Sequence, residues 1–258
     1  MSAPLIFITG ASSGIGQALA QRFYDAGARL ALVARRTDEV ERWAQAQGLA
    51  ADRHAVYRAD VSEVASIVAA GQACIAAQGV PDVVIANAGI SVGVDSARIE
   101  DLAVLQRIWA TNNLGLAATF QPFIAPMNAR RSGTLVGIAS VAGIRGLPGH
   151  GGYCASKAGV IAYCESLRGE CRPHGVKVVT IVPGYVDTPL TRRNPYAMPF
   201  LMSPRAFADA AYNAIVAGSS YRVIPWQMGV AAKLLRMLPN PLFDRVMAGR
   251  GRKPRAAD

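Results

Sequence analysis

From residue 5 to residue 224 the chain alternates between short apolar runs rich in Val and Ile and longer amphipathic stretches. The runs at 5–9, 29–34, 55–59, 83–86, 134–139, 177–182 and 221–224 are predicted strands, and helices are predicted at 15–26, 37–47, 64–78, 102–127, 152–171 and 204–217. Strict alternation restricts the fold sharply. Each strand must pair in parallel with another through a right-handed helical crossover, and strands apolar on both faces need helices above and below. The expected architecture is a three-layer, doubly wound α/β fold with a parallel sheet of about seven strands. With 258 residues, 52% of them apolar, the chain can build one large core. No linker, repeat or low-complexity tract interrupts it, so one domain over 1–258 is expected.

Ligands of such sheets bind outside the carboxyl ends of the strands, which makes the strand-end loops the place to look for chemistry. The first reads Thr9-Gly10-Ala11-Ser12-Ser13-Gly14-Ile15-Gly16. Glycines at this spacing, directly after a strand and opening a helix, let backbone approach a pyrophosphate whose charge meets the helix amino terminus. The second strand ends in Ala34-Arg35-Arg36. An acid there would bind the adenosine ribose and repel a 2′-phosphate; arginines neutralise that phosphate with a planar fork of donors, which favours NADP(H) over NAD(H). Asp60-Val61 and Asn87-Ala88-Gly89 follow the third and fourth strands. Asp60 either accepts a hydrogen bond from an adenine amine or begins the next helix as a cap. After the sixth strand comes Pro183-Gly184-Tyr185-Val186-Asp187-Thr188, where backbone or the Thr188 hydroxyl can hold a carboxamide. The apolar, proline-broken stretch 189–203 is either a substrate lid or a surface excursion packed on itself.

The stretch from Ser140 to Lys157 carries a second kind of signal. Tyr153 and Lys157 are four residues apart in a predicted helix and share one face. A nearby ammonium and the positive end of a helix both favour the phenolate, so Tyr153 is expected to exchange a proton with a carbonyl or alcohol near neutral pH. Ser140, at a strand's end, can hydrogen-bond the same oxygen. Thr111-Asn112-Asn113-Leu114-Gly115 is a polar, helix-disfavouring cluster within an apolar segment, the mark of a bend or an internal hydrogen-bonding site.

The net charge of +10 is partly local. From Trp226 onward Lys233, Arg236, Arg245, Arg250, Arg252, Lys253 and Arg255 face only Asp244 and Asp258, a surplus of five. This basic, amphipathic extension, 226–258, can lie on an anionic bilayer, cover substrate or pack against another subunit. Without aromatic-basic alternation the charge does not suggest a nucleic-acid partner. Cys74, Cys154, Cys164 and Cys171 have no paired spacing and read as small buried residues of a reduced compartment. Nor do His54, His150 and His174 have the spacing of metal ligands, so no metal is expected. His150 lies near Tyr153, in reach of a substrate or simply in a loop. The amino terminus lacks a signal-peptide pattern, and a cytoplasmic protein is expected.

Each motif alone occurs easily by chance; their order resembles the short-chain dehydrogenase/reductase family over residues 5–188. Thr9-Gly10-x-x-x-Gly14-x-Gly16 looks like that family's nucleotide loop, Asn87-Ala88-Gly89 like its fourth-strand motif, and Asn112, Ser140, Tyr153 and Lys157 like its catalytic tetrad. Arg35-Arg36 is similar to the basic pair of NADP-preferring members, although Ser13 stands where many of those carry a further base. The resemblance implies a Rossmann fold, NADP(H) as cofactor with NAD(H) second, and an apolar carbonyl or secondary alcohol as substrate. By the same resemblance Tyr153 moves the proton, and Lys157 lowers its pKa and binds the nicotinamide ribose. Ser140 polarises the carbonyl, and Asn112 bends its helix and holds a water. A homodimer or homotetramer is implied, with helices 102–127 and 152–171 at one interface. A catalytically silent dinucleotide-binding regulatory protein would keep the same fold, but it need not keep all four tetrad residues.

Overall fold

A computed structural model describes residues 3–192, 194–249 and 251–255. Seven parallel strands form one sheet in the order β3-β2-β1-β4-β5-β6-β7. They are β1 (Leu5–Thr9), β2 (Arg29–Ala34), β3 (His54–Arg58), β4 (Val83–Ala86), β5 (Thr134–Ile138), β6 (Lys177–Pro183) and β7 (Tyr221–Ile224). Residues of β1, β2 and β4–β6 are almost wholly buried, as a sheet covered on both faces requires. One core layer packs Phe7, Phe120, Phe123 and Val160 on one face of the sheet. The other packs Ile8, Leu19, Leu32, Phe207 and Ile215 on the opposite face.

Strand order reverses between β1 and β4, so the loops after these strands diverge and leave a crevice at the carboxyl edge. Helices α1 (Gly14–Asp25), α2 (Thr37–Ala46) and α3 (Val64–Gln78) lie where the periodicity predicts.

The predicted helix 102–127 is instead three pieces: α4 (Asp101–Trp109), a π-helical turn over Ala110–Leu114, and α5 (Gly115–Arg130). The wide turn falls on the polar cluster around Asn112, where side-chain bonds compete with the helical ladder. Beyond it α6 (Gly151–Cys171) and α7 (Pro204–Val216) complete the crossovers.

The tail forms α8 (Trp226–Met237) and α9 (Asn240–Met247). Arg145, from the loop after β5, donates to the carbonyls of Leu235 (2.6 Å), Arg236 (2.9 Å) and Leu238 (2.9 Å), capping α8 with a cation. Its guanidinium also stacks on Phe243 of α9 at 3.9 Å. α8 buries Met228, Gly229 and Ala232, and leaves Trp226, Val230, Leu234 and Met237 exposed beside Lys233 and Arg236. Such an outward stripe suits contact with a partner or an anionic bilayer. Of the tail's charges, Arg250 and Asp258 lie outside the described residues. Lys253 and Arg255 fold inward instead of decorating the surface. No helix among the described residues is long and apolar enough to cross a membrane.

Candidate active site

The strand-end loops surround a single cleft of about 820 Å³. Gly10, Ser12, Ser13, Gly14, Ile15, Arg35, Arg36, Asp60, Val61, Asn87, Ala88 and Gly89 line one part of it; Ser140, Tyr153, Lys157, Pro183, Gly184, Val186 and Thr188 line another. Fifteen or more dispersed positions thus converge because every strand is parallel and delivers its carboxyl end to the same edge. Asn112 and Gly16 stand just behind this surface and act through neighbours.

Two positions of the first loop tolerate no side chain. Gly10 sits at φ +70°, and a methyl group on Gly16 would collide with the Gly10 carbonyl. Ser13 caps α1 with extended backbone and its side chain makes no cap bond, so the first-turn N–H groups, beside cleft-lining Ser13, Gly14 and Ile15, give no bond to that hydroxyl. Asn87 joins this loop to the end of β4: its side chain donates to the Thr9 carbonyl (3.0 Å) and its own N–H donates to Thr9 Oγ1 (3.1 Å). A dinucleotide fits such a cradle, with close backbone on one side and unsatisfied donors at a helix terminus.

At the end of β2, Arg35 reaches Asp60 at 3.4 Å and Arg36 pairs with Glu39 at 3.1 Å; both guanidiniums remain largely exposed. Asp60 is not the cap of α3, whose N-cap is Glu63; its Oδ1 instead closes a local turn, accepting from the Ser62 N–H (3.0 Å) and hydroxyl (2.7 Å). Burial opposes ionisation of this carboxyl, but the Ser62 bonds and the Arg35 charge outweigh it and hold the pKa below the usual range.

Deeper in, Tyr153 enters from the first turn of α6, and Ser140 from the end of β5 accepts the Ala142 N–H at 3.2 Å. Lys157 Nζ lies 5.8 Å from the centre of the Tyr153 ring and donates to the Ile138 carbonyl at 2.8 Å. Electrostatics here correct the sequence expectation of an acidified phenol. Burial pushes Tyr153 up to about 12, outweighing the hydrogen bond with Ser140, and brings Lys157 down to about 8. Spacing along a helix places two groups on one face; desolvation depends on what the rest of the fold puts over them.

Asn112 bends its helix as expected, but its side chain is already engaged. Its Oδ1 accepts from Ile90 N–H (2.9 Å), while Nδ2 donates to the Ile90 carbonyl (3.0 Å) and Ser156 Oγ (2.9 Å). Ser156 in turn donates to the Tyr153 carbonyl at 2.8 Å. Ser156 was not legible as a site residue, since nothing but the crossing of two helices brings it to Asn112. The Thr188 N–H donates to Thr191 Oγ1 at 3.0 Å, and its hydroxyl lies 3.2 Å from the same oxygen, with Thr188 still lining the cleft. The 189–203 stretch is a loop pinned at its base, where Met202 N–H donates to the Tyr185 carbonyl (3.0 Å) and Asp187 N–H to the Met202 carbonyl (2.9 Å). Ile90, Ser91, Val92, Leu190 and Thr191, from the segments 90–96 and 189–203 where a substrate pocket is expected, line the cleft as well; Lys253, which sequence reasoning missed, joins them. All four cysteines are buried and free, as small core residues should be.

Fold and cleft together define a nicotinamide-dinucleotide oxidoreductase of the Rossmann type. Residues 4–197 match the short chain dehydrogenase family model, and the chain belongs to that family. It is 37% identical over 247 residues to an uncharacterised oxidoreductase of Myxococcus xanthus, covering 95% of this chain and 96% of the relative. A short-chain dehydrogenase from Sphingobium yanoikuyae, solved in complex with NADPH, superimposes with a TM-score of 0.75 at 25% identity, over 92% of this chain and 97% of that one. A short-chain dehydrogenase/reductase of Burkholderia phymatum, solved with NAD, shares the fold with a TM-score of 0.81 at 22% identity, over 98% and 97% of the two chains.

Proposed function

We propose that the protein is an NADPH-dependent reductase of apolar ketones or aldehydes, running in reverse as a secondary alcohol dehydrogenase, with Tyr153 as the general acid and base. The observation that carries this reading is the shared cleft: Ser140, Tyr153 and Lys157 open onto the same space as the glycine loop and Arg35. Gly10, Ser12, Ser13, Gly14, Ile15 and Gly16 would cradle the pyrophosphate, and Arg35 with Arg36 the 2′-phosphate, for which the end of β2 offers two cations and no acid. Asp60, Val61, Asn87, Ala88 and Gly89 would hold the adenosine half, and Pro183, Gly184, Val186 and Thr188 the nicotinamide half. The Sphingobium structure holds NADPH and the Burkholderia structure NAD, so the preference proposed here rests on Arg35 and Arg36.

Bound there, the cofactor would supply a hydride to the substrate carbon. Tyr153, protonated up to about pH 12, gives its proton to the carbonyl oxygen as that oxygen gains charge. Ser140 orients the same oxygen. Lys157, near 8, is charged at neutral pH and stabilises the phenolate that remains. Asn112 holds the Ile90 backbone and, through Ser156, the first turn of α6, which fixes where the phenol sits. Ile90, Val92 and Leu190 give the substrate end an apolar wall. Exposed Leu102, Trp109, Leu114 and Tyr163 on α4–α6 and the intervening turn support a self-associating enzyme, as a homodimer or homotetramer.

An NADPH-oxidation screen across ketones, aldehydes and 3-oxoacyl thioesters tests the reading. With a substrate so found, Tyr153→Phe should bind NADPH normally and lose turnover by about a hundredfold or more; retained turnover would remove Tyr153 from the chemistry.

A further inference from the structure

Residues 251–255 are tied at three places, and Lys253 among them lines the cleft. Gly93, in the loop after β4, donates its N–H to the Pro254 carbonyl at 3.0 Å and forms a parallel bridge with Arg255. The Arg255 guanidinium makes a two-pronged pair with Asp101, Nε to Oδ2 at 2.9 Å and Nη2 to Oδ1 at 3.0 Å, and Asp101 is 5% exposed. Lys253 is 8% exposed, and its ammonium donates to the Leu190 carbonyl (3.0 Å) and Asn194 Oδ1 (2.8 Å), both in the 189–203 loop.

The backbone follows the same path closely. A methyl group on Gly93 would collide with the Lys253 carbonyl, and one on Gly149, just before α6, would press on Arg252 at 3.0 Å. Lys253 itself lines the cleft together with Tyr153, Val92 and Leu190. The last described residues therefore bridge the loop after β4, the loop before α6 and the 189–203 loop. Ordering such a segment and desolvating two cations costs free energy that surface attachment would avoid, which argues for a use.

We propose that Lys253 is a specificity-determining residue: the 251–255 segment is a fixed wall of the substrate pocket, and Lys253 holds the 189–203 loop against that wall and so limits the size of carbonyl compound admitted. This deepens the reductase reading and rests on it. The bonds described above reach Gly93, Asp101, Leu190 and Asn194, away from the glycine loop, Arg35 and Arg36, so cofactor affinity is expected to change little when they are removed.

The test uses the full-length protein with Lys253→Met and Arg255→Met, singly and together, and Lys253→Arg as the conservative control. NADPH affinity, followed by fluorescence, should stay within about twofold of wild type, which also reports a folded cofactor site. Across ketones of increasing bulk, the double variant should raise KM for slim substrates and shift relative kcat/KM toward bulky ones by about tenfold, the scale of one lost buried hydrogen bond to a charged group; Lys253→Arg should restore most of the wild-type profile. Amide hydrogen exchange over 189–203 should quicken in the double variant whether or not a substrate is known. An unchanged size profile with an identified substrate, or unchanged exchange, overturns the proposal. If wild type reduces no carbonyl at all, the reductase reading fails separately, and exchange still decides whether Lys253 holds the loop.

Discussion

Replacing Lys157 by Met should change how stability depends on pH, by an amount that follows from where the amine sits. Lys157 is 5% exposed and its pKa falls from 10.5 to about 8 through burial. That fall corresponds to roughly 3 kcal/mol of penalty on the charged form in the fold. Below pH 8 the folded and unfolded chains both hold the proton, and the penalty is constant. Between about pH 8 and 10.5 the unfolded chain keeps a proton that the folded chain has shed, so this group makes stability rise with pH. Methionine fills a similar space and does not titrate. From pH 7 to 9.5 the wild type should therefore gain about 2 kcal/mol relative to Lys157→Met. Comparing the two proteins matters, because the Cys74 thiol, pushed up to about 12 by burial, makes both lose stability as pH rises past the thiol's ordinary value of 9.0. The fixed offset at low pH contains the lost bond to the Ile138 carbonyl, and only the slope is diagnostic. Urea unfolding of the cofactor-free proteins, followed by tryptophan fluorescence at several pH values, measures it. Parallel curves would refute the account of a desolvated ammonium held ready beside Tyr153.

Arg35→Ala should weaken NADPH by about tenfold or more, the worth of a charge-assisted bond to phosphate, and leave NADH nearly unchanged; equal losses for both would show that Arg35 does not read the 2′-phosphate. Gly16→Ala should lower stability by roughly 1–3 kcal/mol through overpacking against the Gly10 carbonyl, and weaken NADPH binding in titration calorimetry. An unaltered melting temperature and affinity would mean that the loop is looser than its geometry implies.

The sequence by itself determined the strand and helix order, because burial on both faces of a parallel sheet leaves a period visible along the chain. It also identified the glycine loop, the Arg35-Arg36 pair and Tyr153 with Lys157, since each lies within one local element. Even the π-helical turn around Asn112 announced itself as a polar cluster in an apolar helix. The tertiary structure alone decided the rest. The protonation states of Tyr153 and Lys157 depend on how much water neighbouring elements exclude, and no spacing encodes that. Ser156 meets Asn112 across 44 positions of chain, and Arg255 meets Asp101 across 154. Contacts so distant in sequence arise from the packing of whole elements, which is why the sequence left a bilayer, the substrate and another subunit all open as contacts of the basic tail, and only the fold set residue 253 at the candidate cleft.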